Sequence, residues 1–213
     1  TAIYSMPRAK LSALNAATDA SPVRCLDAAQ AQCMVEAVDE ARQNGDTLGG
    51  VFEIIAGGLP VGLGSYAQWD RRLEGDLAKA MMSLNAIKGV EIGMGFSAAH
   101  HLGSHVHDEL FWNGKKTRAV RQTNRSGGID GGVTTGEPLV VRAAMKPLAT
   151  LMKPVRSINL ETKEEVEAHV ERSDVCSAPA AAVVGESLVA LALAAAFLEK
   201  FGGDSVEETR RHY

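Results

Sequence analysis

Hydrophobic positions recur at helical spacing in two stretches of this chain and at strand-like density in several others. Asp27 is suited to cap a helix, and Met34, Val38 and Ala41 then fall on one stripe, predicting a helix to about Gln43. Leu73, Leu77, Ala80, Met81 and Leu84 do the same and predict a second amphipathic helix over Arg71–Ala86. Between the two, Gly49-Gly50 opens VFEIIAG, whose β-branched content predicts a buried strand. GVEIGMGF, after the second helix, alternates like a strand. PLVVRAAM predicts another, closed by Lys146-Pro147, with shorter strands around Ser157–Leu160 and Val166–Glu171. Ala178–Leu198 is apolar almost throughout and predicts a long buried helix ending at Gly202-Gly203. The tail Asp204–His212 is charged and predicts one or two helical turns, whereas His100–Thr123 is polar and irregular. Strands and helices mix without a βαβ rhythm, so the expected class is α+β.

Composition narrows the function classes. In 213 residues, 46% hydrophobic and 23% charged content is ordinary for a globular protein with a sizeable core. A formal net charge of −4 argues against nucleic acid as the main partner, and 5% aromatics leave little for base stacking. Cys25, Cys33 and Cys176 show no CxxC pairing and fit a reducing compartment. TAIYSMPRAK lacks the layout of a signal peptide and an initiator Met, so the start of a longer chain is expected to be missing. Ala178–Leu198 is long enough for a membrane span, but Glu186 and nine alanines within it favour a core helix.

The densest glycine cluster, NRSGGIDGGVTTG over Asn124–Gly136, has five glycines in thirteen residues. Such a run suits a backbone that bends through positive φ and brings N–H groups close to a ligand. It has neither the P-loop ending nor the GxGxxG spacing. A glycine-rich ligand loop of a third kind and a surface turn between two strands both remain open.

Four further places could carry chemistry. His100, His101, His105 and His107 crowd together, and on a strand His105 and His107 would share a face, as a transition metal requires. They lack partners beyond Asp108, so no metal site is expected. Lys146-Pro147-Leu148-Ala149-Thr150 follows a strand, and Lys146 with Thr150 could meet a phosphate. Arg172 and Asp174 lie two apart before the Ala-rich helix; the Arg could grip an anion while the Asp accepts a proton, or the two could form a surface ion pair. Asn85, where the second helix ends, could read a heterocycle's polar edge or simply cap the helix.

Taken together, MMSLNAIKGVEIGMGF, NRSGGIDGGVTTGE, VVRAAMKPLAT and ERSDVCSAPAAAVVGE occur in an order that closely resembles the C-terminal part of the chorismate synthase family. YSMPRAK at the start and EKFGGDSVEETRR at the end fit the same family, so the resemblance covers essentially the whole chain. RSDVC looks like one of the family's two variants. The resemblance implies an α+β fold of β-α-β sandwich type, with residues 1–213 the C-terminal portion of a single domain. It implies a cytoplasmic carbon-oxygen lyase of the shikimate pathway that acts by 1,4-anti elimination of phosphate from 5-enolpyruvylshikimate 3-phosphate, giving chorismate. Reduced FMN is the implied cofactor, NADP is also associated with the family, and a homotetramer is implied, with no nucleic-acid or membrane partner.

By the same resemblance Asn85, Ala86, Gly131, Lys146, Pro147, Leu148, Ala149, Thr150 and Arg172 match FMN-contacting positions. Asp174 matches an aspartate assisting proton movement at the flavin, and the glycine loop becomes part of one flavin-binding wall. Leu148 and Ala149 stand where family members vary. The family's N-terminal motifs, Gly-Glu/Asp-Ser-His-Gly, Arg-Pro-Gly-His-Ala-Asp and Arg-Ser-Ser/Ala-Ala-Arg, do not occur here. The expectation is therefore an inactive isolated chain, with a non-catalytic FMN-binding or assembly module as the alternative.

Overall fold

A computed structural model describes residues 8–213; the Tyr4–Pro7 part of YSMPRAK lies outside the described residues. The elements in chain order are α1 (Arg8–Asp19), α2 (Ala28–Gln43), β1 (Gly50–Ala56), α3 (Leu73–Met82), β2 (Ile87–Ile92), β3 (Leu110–Trp112), β4 (Ala119–Arg121), β5 (Ile129–Asp130), β6 (Val133–Thr134), β7 (Leu139–Met145), β8 (Arg156–Ile158), β9 (Glu165–Glu167), α4 (Ala178–Phe201) and α5 (Val206–His212). Mixed helices and small antiparallel sheets make this an α+β fold, as the sequence predicts.

The organising unit is a three-stranded sheet of order β1-β7-β2, antiparallel throughout. β7 takes the centre, and its LVVRAAM sequence fits that place: Leu139, Val140, Val141 and Ala143 are all buried. Alternation then sets the two faces. Phe52, Ile54, Val141 and Ala143 point to one side, against Leu73, Leu77 and Met81 of α3 and Ala181, Gly185 and Val189 of α4. Leu73, Leu77 and Met81 recur every four residues, so one stripe of α3 is fully buried, each side chain contributing about 1.5–3 kcal/mol. Gly185 lets α4 lie close against the sheet; a Cβ there would sit 3.0 Å from Ile54 and Phe52.

The other face of the sheet carries charge across its middle and is partly covered, with Val140 buried on it. Glu53, Arg142 and Glu91 stand side by side on the three strands, and Arg142 pairs with Glu91 at 2.9 Å. Partial burial raises the Glu53 carboxyl above its ordinary value, and Arg142 opposes that rise.

Several boundaries differ from the sequence reading. The second helix begins at Leu73, because Arg72 is extended and the Leu73 N–H is taken by the carbonyl of Gly132. It ends at Met82, leaving Leu84–Ala86 in a turn closed by Ile87 N–H to Leu84 C=O. The strand expected at VFEIIAG is buried on one face only, with Val51 68% exposed. The irregular His100–Thr123 stretch contains a hairpin, β3–β4, and Arg8–Asp19 forms a helix the pattern did not predict. The long Ala-rich helix is buried on one stripe only, and its opposite face is open to solvent.

Candidate functional site

β7 ends at Met145, opposite Gly50 of β1 and Ile87 of β2, so three chain segments meet at this end of the sheet. The Lys146 N–H donates to the Ala86 carbonyl at 2.8 Å, joining the Asn85-Ala86 turn to Lys146–Thr150. Ala86 has φ 66°, a left-handed conformation costing a non-glycine residue about 1–2 kcal/mol. Strain of this kind persists only where its surroundings enforce it, and it gathers at ligand sites.

Lys146–Thr150 is held from a second side. Thr47, buried, donates its hydroxyl to the Leu148 carbonyl at 2.7 Å. Gly49 passes so close that a Cβ would lie 2.3 Å from the Met145 carbonyl oxygen and 3.0 Å from the Pro147 nitrogen. Next to Gly49, the Leu48 N–H donates to the Val175 carbonyl at 2.7 Å, and Ser173 donates its hydroxyl to the Thr150 carbonyl at 2.8 Å. These bonds draw Arg172 and Asp174 to the same end of the sheet.

Asn85, Ala86, Lys146, Pro147, Leu148, Ala149, Thr150, Arg172 and Asp174 are thus brought together, although 89 positions separate the first from the last. Asn85, Lys146, Arg172 and Asp174 are exposed. Among the described residues, Arg172 and Asp174 form no ion pair, and neither Lys146 nor Asn85 has a side-chain hydrogen bond. A rigid backbone therefore presents an amide, an ammonium, a guanidinium and a hydroxyl beside one carboxylate. That donor set fits a phosphate-bearing group rich in hydrogen-bond acceptors, as a flavin mononucleotide is.

Gly131 is placed elsewhere. The glycine run folds as a hairpin in which β5 and β6 flank the Gly131-Gly132 turn, φ 62° and 98°. Thr134 anchors it: its hydroxyl donates to Pro60 C=O at 2.6 Å and accepts from Leu63 N–H at 2.9 Å. The hairpin sits at the start of α3, whereas Asn85 follows the end of α3. The run also meets the start of β7, where the Val140 N–H donates to Gly127 C=O, and the seven residues of β7 span about 20 Å. The glycine run and the Lys146 cluster are therefore at opposite ends of one strand within this chain.

Asp108 governs the base of the glycine run. Its carboxylate accepts from the Thr123 hydroxyl at 2.6 Å and from the N–H groups of Arg125 and Ser126 at 2.8 and 2.9 Å. Burial pulls this carboxyl upward, but those hydrogen bonds outweigh it and hold Asp108 below its ordinary value. A pocket of about 210 Å³ opens beside it, lined in part by His107, Asp108, Arg125, Ser126 and Asp130.

Sequence reasoning gave no role to Thr47 and Ser173, which position the candidate residues, or to Asp108, which holds the base of the glycine run. Only Asp108 left a trace, as the acid next to the histidines. The histidines lie in irregular chain: Gly103–His105 is a 3₁₀ turn, so His105 and His107 do not share a strand face. Among the described residues, no three His, Cys, Asp or Glu side chains gather as a metal would need.

A helix-backed antiparallel sheet with tethered strand-end loops places the chain in the structural class of a known crystal structure of chorismate synthase. The two superpose with a TM-score of 0.81 at 41% identity, covering 100% of this chain and 55% of that one. The sequence profile of the chorismate synthase family matches residues 3–198, and the chain belongs to that family. It is 57% identical over 200 residues to the chorismate synthase of Geobacter sulfurreducens, covering 91% of this chain and 51% of that enzyme. It is 55% identical over 197 residues to that of Syntrophotalea carbinolica, covering 92% and 50%. The chain spans about half the length of the curated relatives it matches.

Proposed function

We propose that this chain supplies one half of a chorismate synthase active site, whose reaction is the 1,4-anti elimination of phosphate from 5-enolpyruvylshikimate 3-phosphate. The observation that carries this reading is the convergence of Asn85-Ala86, Lys146–Thr150 and Arg172–Asp174 at one end of the sheet.

Bound reduced FMN would supply electron density for phosphate departure and a site to receive the ring proton. The chain's own residues do the rest. Lys146 and Arg172 offer two cations for anionic groups, and Arg172 can do so with two parallel N–H donors. Asn85 and the Thr150 hydroxyl offer neutral hydrogen bonds that set orientation, which is worth much of the barrier when reactants must stay face to face. Asp174 holds or passes on a proton beside the cofactor. Pro147 and the tethers from Thr47 and Gly49 keep the Lys146 backbone from moving as these groups engage. Gly131 belongs to a second wall rather than to this one.

Half of the relatives' length lies outside this chain, so turnover is expected only with the complementary half present. The test is co-expression with the segment of the Geobacter sulfurreducens enzyme that this chain does not match, assayed anaerobically with reduced FMN. Chorismate formation by the pair, and by neither piece alone, is the expected result. Flavin binding by the pair without turnover would overturn the catalytic reading in favour of a binding or assembly module.

A further inference from the structure

The segment that carries Arg172 and Asp174 is bound at both ends and almost nowhere between. The Ala168 N–H donates to the Val155 carbonyl at 2.8 Å, and the Val175 carbonyl accepts from the Leu48 N–H at 2.7 Å. Among the described residues, 169–174 make no backbone–backbone hydrogen bond, and all of them are exposed. One side chain bridges the gap. Ser173, between Arg172 and Asp174, donates its hydroxyl to the Thr150 carbonyl at 2.8 Å. The same hydroxyl lies 3.4 Å from the carbonyl oxygen of Asp174.

The acceptor is a main-chain carbonyl, as it is for Thr47, whose hydroxyl holds the carbonyl of Leu148. Both bonds therefore fix the backbone of Lys146–Thr150 and leave its side chains free to face a ligand. We infer that Ser173 is a positioning residue, which fixes the Asp174 carboxylate and the Arg172 guanidinium against Lys146–Thr150 and acts on the reaction through Asp174. This rests on the half-enzyme reading above and deepens it. An exposed hydroxyl exchanges its partner with water, so this bond shifts the balance between held and released segment by about two- to tenfold. Displacement matters at this site because proton transfer and group orientation depend steeply on distance: a misplacement of about 1 Å can cost about 10²-fold.

Ser173→Ala and Ser173→Thr are made in this chain, each co-expressed with the segment of the Geobacter sulfurreducens enzyme that the chain does not match. The first readout needs neither flavin nor substrate. Trypsin cleavage after Arg172, normalised to the same bond in a synthetic peptide, is expected to rise about two- to tenfold in Ser173→Ala. Ser173→Thr keeps the hydroxyl and should cleave at the parent rate. The second readout is turnover with reduced FMN, where kcat should fall by a similar factor in Ser173→Ala and return in Ser173→Thr. In an Asp174→Asn background, Ser173→Ala should lower kcat by less than about twofold, because the group it positions is already lost. A role in general stability would instead cost the same factor in both backgrounds. Equal cleavage of Ser173→Ala and parent overturns the proposal. So do independent, multiplying losses of kcat, or a Ser173→Thr variant as impaired as Ser173→Ala. A parent pair without turnover removes the half-enzyme reading, and the cleavage rates then decide the tether by themselves.

Discussion

The N–H of Lys146 and the carbonyl of Ala86 meet at 2.8 Å, and this one bond joins two segments that lie sixty positions apart. It does so at a residue in the left-handed region, φ 66°. The turn carrying Asn85 and the segment carrying Lys146 therefore share one backbone frame, and neither can shift alone.

Ala86 itself gives the first prediction. Ala86→Val should lower stability by roughly 1–3 kcal/mol, since a β-branched residue fits the left-handed region worst. Ala86→Gly should cost less than 1 kcal/mol, because relieved strain offsets added unfolded-chain entropy, about 0.4–1 kcal/mol. Urea midpoints of the two variants decide it, and equal midpoints would contradict the claim of strain.

Thr47 should matter through its hydroxyl rather than its volume. Thr47→Val removes the donor to Leu148 C=O and is expected to cost about 1 kcal/mol, while Thr47→Ser retains it and costs less. Proteolytic nicking between Lys146 and Lys153 should rise in the valine variant only.

The adjacent glycines of the hairpin turn should respond differently. Gly131 has φ 62° and open space where a methyl group would project, so Gly131→Ala is expected to cost about 1 kcal/mol from backbone alone. At Gly132, φ 98°, a Cβ would lie 2.3 Å from the Ser65 carbonyl oxygen, so Gly132→Ala must displace backbone and should cost clearly more. Thermal unfolding of the pair ranks them.

Asp108 predicts an acid limit. Its folded-state carboxyl lies below the ordinary value of 3.8, so the stability it confers is present above that pH. It is lost as pH falls through the folded value. Asp108→Asn should therefore weaken the protein at pH 6, and the variant's stability should fall less than the parent's between pH 4 and pH 2.5. Urea titrations at those pH values read the difference; parallel curves would rule out the role.

In the assembled enzyme, Asp174→Asn should reduce turnover by roughly 10²–10⁴-fold, the range for loss of a positioned proton acceptor. Flavin affinity should change little. Arg172→Ala should weaken flavin or substrate binding first, seen as a raised KM or Kd.

Much of the architecture was legible along the chain. Asp27 does cap α2 through the Gln30 N–H, and the every-fourth-residue stripe of Leu73, Leu77 and Met81 lies on the buried side of α3. Those signals are local: a cap and a periodicity act within a few residues of the chain. The true start of α3 was not legible, because Gly132, some sixty positions away, takes the Leu73 N–H.

The candidate site divides along the same line. Residue type and wording singled out Asn85, Lys146, Thr150, Arg172 and Asp174, since amide, cation, hydroxyl and carboxylate chemistry is written in the side chains. Their meeting place was decided by strand pairing, which sets Ile87 opposite Met145, and by the contacts from Thr47, Gly49 and Ser173. The glycine run lies at the far end of β7, because an extended strand carries its two flanking segments to opposite ends. For α4, the apolar composition was plain in the sequence, but an all-round apolar helix does not say which face its neighbours will cover. The sheet and α3 decided that, covering one stripe and leaving the Val184–Leu191–Leu198 seam open, because side chains on opposite sides of a helix cannot reach the same neighbour.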